Sequence, residues 1–159
     1  MVNQDHTTPI SLEEAMEEIN SAPTLRKIKS YLDKSDMSAD TKALLYDVAK
    51  FSIKIGETVI AIGRKIFDLA SSLVAKFPNL TMWTLVALVV SVVLTSTLGA
   101  ITIAGSAPFA GLAAILGKLL VLLGVSRGFI EDLRNNAAKT EMDRISAQFD
   151  RMGMGVVSL

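Results

Sequence analysis

The sequence contains no cysteine and a single histidine, His6. Without cysteine the chain forms no disulfide framework and offers no thiolate nucleophile. One histidine leaves too few nitrogen ligands and bases for an ordinary zinc site or a histidine-based catalytic triad. We therefore expect no catalytic, metal-binding or cofactor-binding residues, and we predict that the protein is not an enzyme.

Phosphate-loop chemistry and nucleic-acid binding are also disfavoured. Residues 111–118, GLAAILGK, end like a Walker A motif, but five residues separate the glycines and Leu119 stands where the motif needs serine or threonine. The 16 basic and 16 acidic residues balance, so the composition indicates no nucleic-acid partner. The N-terminus is acidic and polar and lacks the pattern of a signal peptide.

The chain also contains a long stretch without any charged residue. No charged residue occurs from Phe77 to Gly117, a run of 41 residues, and Lys118 is the only charge between Phe77 and Ser126. A membrane-spanning helix needs about 20 mostly apolar residues, so this run is long enough for two. We predict a two-helix transmembrane hairpin over residues 80–126.

The two predicted spans are residues 81–104 and 109–126, joined by a turn at residues 105–108, GSAP. The first span would be about 36 Å long as a helix and the second about 27 Å. Trp83 lies near the start of the first span, where interfacial aromatic residues are frequent. Valine and threonine in the first span favour a strand in water, but a charge-free run of this length favours a membrane helix.

Positively charged residues lie at the two outer ends of the predicted hairpin. Arg64, Lys65 and Lys76 precede the first span, Arg127 and Arg134 follow the second, and the connecting turn has no charge. The positive-inside rule then places both termini in the cytoplasm and the turn outside. We expect a location in a bacterial inner membrane or a host cytoplasmic membrane.

The segments on either side of the hairpin have helical patterns. Residues 1–39 are expected to form a soluble part with short helices at about 12–20 and 24–34. Residues 127–159 are expected to contain a cytoplasmic amphipathic helix, reaching to about residue 152, and a short tail. The fold class we predict is an all-α membrane protein.

One long amphipathic helix is predicted over residues 40–77, immediately before the hairpin. Gly56, Gly63 and Ala70 recur every seventh residue and fall in the middle of its apolar face. Glycine within a helix costs about 1 kcal/mol relative to alanine, so its repetition indicates a close helix–helix contact. The alternative is an amphipathic helix lying on the bilayer or on the protein's own core.

The second span repeats this spacing with Ala110, Gly117 and Gly124, and Gly124 and Gly128 form a GxxxG pair. Small residues allow close packing of helices in lipid. We predict that this column packs one protomer against another in a homo-oligomer. The alternative is that it packs the hairpin against itself.

Five polar residues within the spans are candidate pore-lining residues. Lys118 lies near the middle of a span, where a charge is costly and often functional, although its side chain can also extend to the interface. Thr84, Ser91, Thr95 and Thr102 form a stripe along the first span. Their hydroxyls can instead bond to carbonyls of their own helix. A ring of lysines facing a lumen would favour anions.

An apolar hairpin between amphipathic helices resembles, in architecture only, small holins and the hairpins of pore-forming toxins. That resemblance implies a membrane-permeabilising homo-oligomer, which is the function we predict.

The alternative is a non-conducting membrane scaffold or anchor, for example in a virion or a secretion apparatus, that binds a cytoplasmic protein. The expected partners are membrane lipid and further copies of the chain. The sequence leaves open whether the hairpin is shielded in a soluble assembly before it inserts.

Overall fold

The computed structural model describes residues 22–55, 57–103 and 105–157. Its elements in these ranges are α1 (Leu25–Lys34), α2 (Ala39–Lys50), β1 (Ile53–Ile55), β2 (Thr58–Ile60), α3 (Ile62–Leu73), α4 (Met82–Thr95), α5 (Ala110–Leu123), α6 (Arg127–Asn135) and α7 (Lys139–Val157). The prediction of a mainly helical chain is confirmed for the described residues. The helix predicted at residues 12–20 lies outside them.

Helix α1 forms at the position that its sequence pattern predicts. Thr24 precedes the helix, and its side-chain oxygen accepts a hydrogen bond from the backbone N–H of Lys27, which satisfies one of the free amides of the first turn. Ile28 and Leu32, which are four residues apart, face inward and are buried. The prediction of a helix at 24–34 is therefore confirmed.

Helix α4 is the centre of the fold. It packs against α3, α5, α6 and α7. From Thr84 to Val93 every side chain is buried except that of Ser91, and the side chains from Leu85 to Val90 have no exposed surface at all. The most apolar part of the chain is thus enclosed by helices that carry charged residues on their outer faces.

The prediction of one continuous helix over residues 40–77 was wrong. An antiparallel hairpin, β1–β2, separates α2 from α3, with Ile53 paired to Ile60 and Lys54 paired to Val59. Ile53 and Ile60 are buried while Lys54 and Val59 are exposed, which is the period-two alternation of a strand with one buried face. Gly56, predicted to pack helices together, falls outside the described residues.

The helices within the predicted hairpin are shorter than the sequence suggested. Helix α4 ends at Thr95 where we expected a span to 104, and α5 covers Ala110–Leu123 where we expected 109–126. Within the described ranges no individual helix combines the length and apolarity needed to cross a membrane. Helices α5 and α6 together meet that criterion by length and composition, but they are bent by 103° at their junction.

The C-terminal part contains two helices, α6 and α7, where we predicted one amphipathic helix. Asn136 ends α6: its φ of −124° and ψ of −86° leave the helical region, and its side-chain Nδ2 donates to the carbonyl of Asp132 at 3.1 Å. Asparagine side chains compete for backbone partners in this way. The buried residues Met142, Ile145 and Phe149 of α7 join the core.

Candidate functional site

The chain after α4 turns back under the end of the helix. The Ser96 hydroxyl is buried, donates to the Val93 carbonyl at 2.6 Å and accepts from the Gly99 backbone N–H at 3.4 Å. A Cβ atom on Gly99 would lie 2.3 Å from the Val93 carbonyl oxygen, so only glycine fits this turn. These contacts end α4 fourteen residues after it begins.

Helix α7 holds this turn from outside. The Asp150 carboxylate accepts a hydrogen bond of 2.7 Å from the backbone N–H of Thr97. One helical turn further on, a Cβ atom at Gly153 would lie 2.4 Å from the Leu98 amide nitrogen, so the two backbones are in close contact. We call residues 96–99, together with Asp150 and Gly153, the α4 clamp.

A second set of contacts fixes the start of α7. Lys76, just after α3, donates to the Glu141 carboxylate at 2.8 Å, and Arg144 pairs with the other oxygen of that carboxylate. The hydrogen bond from Lys76, followed by that from Arg144, lowers the pKa of Glu141 from its ordinary value of 4.5. Both ends of α7 are therefore attached to the chain that flanks α4.

The residues of the predicted polar stripe occupy different environments in the folded chain. Thr84 is buried and its hydroxyl bonds to that of Thr81 at 2.9 Å, whereas Ser91 is half-buried. Thr95 is exposed and donates to the carbonyls of Ser91 and Val92, each at 3.2 Å, and Thr102 is exposed. The structure therefore does not bring the four hydroxyls to one common surface within a single chain.

Lys118 is exposed and lines an open groove of about 660 Å³ between α2 and α5. We call it the α2/α5 groove. The residues that line it are Asp40, Ala43, Leu44, Ala114, Gly117, Lys118, Val121 and Leu122. Six of them are apolar or glycine, and Asp40 and Lys118 carry its only charges.

The two columns of small residues differ in what they contact. A Cβ atom on Gly63 would lie 1.9 Å from the Val48 carbonyl oxygen, and Ala70 is fully buried. Gly63 therefore lies in close contact with the backbone of α2 of the same chain.

The α5 column has no such contact among the described residues. Ala110 and Gly124 are exposed, and the nearest atom to a Cβ on Gly117 is Arg127 Nη2 at 4.0 Å. Gly124 has a φ of 67° and ends α5, since this left-handed conformation favours glycine, and Gly128 is exposed in the first turn of α6.

The clamp residues Asp150 and Gly153 were not singled out from the sequence. The one signal available was the glycine itself, because Gly153 lies inside a helix, where it lowers helix stability unless close packing requires it. In the described ranges no group of three or more histidine, cysteine, aspartate and glutamate side chains is placed to hold a metal ion. No protein-family model, curated protein or solved structure matches this chain.

Proposed function

We propose that the chain is a membrane-permeabilising protein that encloses its apolar hairpin in a helical bundle and inserts it into a membrane as a homo-oligomer. The observation that carries the proposal concerns α4, which has no charged residue and is buried by other helices from Thr84 to Val93 except at Ser91. A segment of this kind can exchange a protein interior for a lipid interior with little change in its apolar surroundings.

Insertion requires α4 to become longer. Its fourteen residues form a helix of about 21 Å, which is shorter than the hydrocarbon core of about 30 Å. The charge-free sequence continues through residue 103 and beyond, and a helix over 81–104 would reach about 36 Å. Release of the α4 clamp allows this extension, and lipid favours it because backbone groups there need hydrogen-bond partners within the segment.

In the inserted oligomer both termini lie on the cytoplasmic side, because the basic residues flank the hairpin and its turn has none. Lys118 and the stripe of Thr84, Ser91, Thr95 and Thr102 face the lumen. A longer first helix places these four hydroxyls along one face, which the folded chain does not do. The lysines of neighbouring protomers then form a ring that favours anions.

The experiment is the release of dyes of graded size from vesicles of mixed zwitterionic and anionic lipid. We expect release with a size limit, and we expect Lys118→Leu to reduce anion preference in planar-bilayer reversal potentials. The amounts of inserted wild-type and variant protein are matched first. Absence of release from protein shown to be inserted, or release without a size limit, contradicts a defined pore.

A second candidate function is a non-conducting membrane anchor for a protein partner. The α2/α5 groove favours it, because the groove leaves apolar side chains of α5 uncovered on the folded chain. An anchor inserts and remains oligomeric without releasing any dye, and Lys118→Leu then has no effect on permeability. The same vesicle experiment separates the two functions.

A further inference from the structure

The α2/α5 groove is an open, mainly apolar surface beside two helices of the described chain. Val121 is 84% exposed and Leu122 is 43% exposed. Large exposed apolar side chains grouped in one groove are unusual for a chain that acts alone and indicate association. The small residues Ala43, Ala114 and Gly117 also line it, and they leave room for a helix to approach closely.

The two helices that form the groove run antiparallel. Phe51, directly after α2, and Phe109, directly before α5, have ring centroids 5.4 Å apart. The C-terminal end of α2 therefore lies beside the N-terminal end of α5. At the opposite end of α2, Asp40 lines the same groove as Lys118 and Leu122 of α5.

The charges of the groove are one acid on α2 and one base on α5. Within the described residues neither Asp40 nor Lys118 takes part in an ion pair. A two-fold interface brings the same surface of two copies together, so that residue i of one meets residue j of the other and the reverse. In a two-fold arrangement that places Asp40 of one copy opposite Lys118 of the other, the symmetry gives two such pairs, from charges that form no ion pair within the described residues of one copy.

We propose that the folded chain forms a two-fold dimer through the α2/α5 groove, with α5 of each copy over the groove of the other. Gly117 of the α5 column lines the groove, and in this interface it allows the α5 helices to approach. This inference deepens the homo-oligomerisation in the proposed function by naming the surface. It concerns the folded chain in water and does not depend on insertion.

Sedimentation equilibrium of the full chain in lipid-free buffer measures the association directly. The wild type is expected to have the mass of a dimer. Val121→Lys places a charge in the interface and is expected to raise the dimer dissociation constant by about ten-fold or more. Val74→Lys is the matched control: Val74 is also an exposed valine at the end of a helix, outside the groove, and lysine suits both helix ends.

Charge reversal tests the two-fold arrangement itself. Asp40→Lys alone places two positive charges opposite each other at both pairs, and Lys118→Asp alone places two negative charges there. Each variant is therefore expected to be monomeric. An equimolar mixture of the two variants restores opposite charges at both pairs and is expected to sediment as a dimer. The double variant Asp40→Lys/Lys118→Asp is expected to dimerise by itself.

Three results overturn the inference: a wild type that is monomeric over the whole concentration range, a dimer that tolerates Val121→Lys, or a mixture of the charge variants that stays monomeric. Circular dichroism of each variant establishes that it is folded before its mass is interpreted. Failure here leaves the vesicle experiment unaffected, since that experiment measures release from lipid and this one contains none.

Discussion

The Asp150 carboxylate accepts a 2.7 Å hydrogen bond from the backbone N–H of Thr97, two residues after the end of α4. The bond joins residues 53 positions apart and attaches the last helix to the point where the apolar helix stops. In the proposed insertion, release of this contact allows α4 to extend.

Loss of this bond is expected to destabilise the fold and to favour insertion. Asp150→Ala removes a hydrogen bond to a charged acceptor, so we expect the free energy of unfolding in urea to fall by about 1–2 kcal/mol and dye release from vesicles to begin sooner. Asp150→Asn keeps an oxygen that can accept from Thr97 and is the control, with a smaller change in both measurements. Slower release by Asp150→Ala than by the wild type would contradict a restraining role.

A covalent lock at the same place is expected to have the opposite effect. The chain has no cysteine, so a pair introduced as Thr97→Cys and Asp150→Cys is unique, and it joins two residues whose backbone and side chain are in direct contact. Oxidised protein should bind vesicles without releasing dye, and reduction should restore release. Equal release rates before and after reduction, with the disulfide verified by mass, would show that α4 does not need to leave the clamp.

The contact between α2 and α3 is expected to depend on glycine at position 63. Alanine there places its Cβ atom 1.9 Å from the Val48 carbonyl oxygen, so the backbones must separate and we expect a loss of about 1–3 kcal/mol. Gly111→Ala is the control, because a Cβ on that exposed helical glycine contacts nothing within 4 Å, and it should stabilise the fold by about 0.5–1 kcal/mol. Chemical denaturation measures both. Equal effects of the two substitutions would contradict the close approach.

The ion pairs of Glu141 are expected to make stability depend on pH in the acid range. Because the folded-state pKa of Glu141 is lowered from 4.5, its contribution is fully present above that pH and is lost as the pH falls through the folded pKa. The pair with Lys76 is half-exposed, so we expect only about 0.5–1 kcal/mol. Thermal unfolding of the wild type and Glu141→Gln between pH 3 and 7 tests this. The two curves should converge at low pH, and a constant difference would count against it.

The segment that contains the small residues forms two strands and a helix rather than one helix. Gly63 and Ala70 lie on the buried face of that helix, and Gly63 is in close contact with α2 of the same chain. The same segment was assigned to one helix because Ile53 and Ile60, which are seven residues apart, fit a heptad as well as two paired strands. A short apolar run can fit both the seven-residue repeat of a helix and the two-residue repeat of a strand. In the folded chain these residues are paired as strands.

The length of α4 could not be read from its own sequence. Residues 96–99, STLG, continue the charge-free run, and their conformation depends on contacts with Asp150 and Gly153, far away in the chain. Local composition therefore favoured a span to residue 104. Burial by the surrounding helices is a tertiary effect, and the absence of charge from α4 fits a protein core and a membrane equally well.

The most direct measurement of the central claim is whether the hairpin turn crosses the membrane. Ser106→Cys places a unique thiol in the exposed turn, and Ser30→Cys places one on the exposed side of α1 as a control. Each protein is bound to sealed vesicles and treated outside with a maleimide on a polymer too large to pass a pore. We predict that the thiol at position 106 becomes protected and reacts again in detergent, while the thiol at position 30 stays reactive throughout. Equal reactivity of both thiols on vesicle-bound protein would contradict insertion of the hairpin.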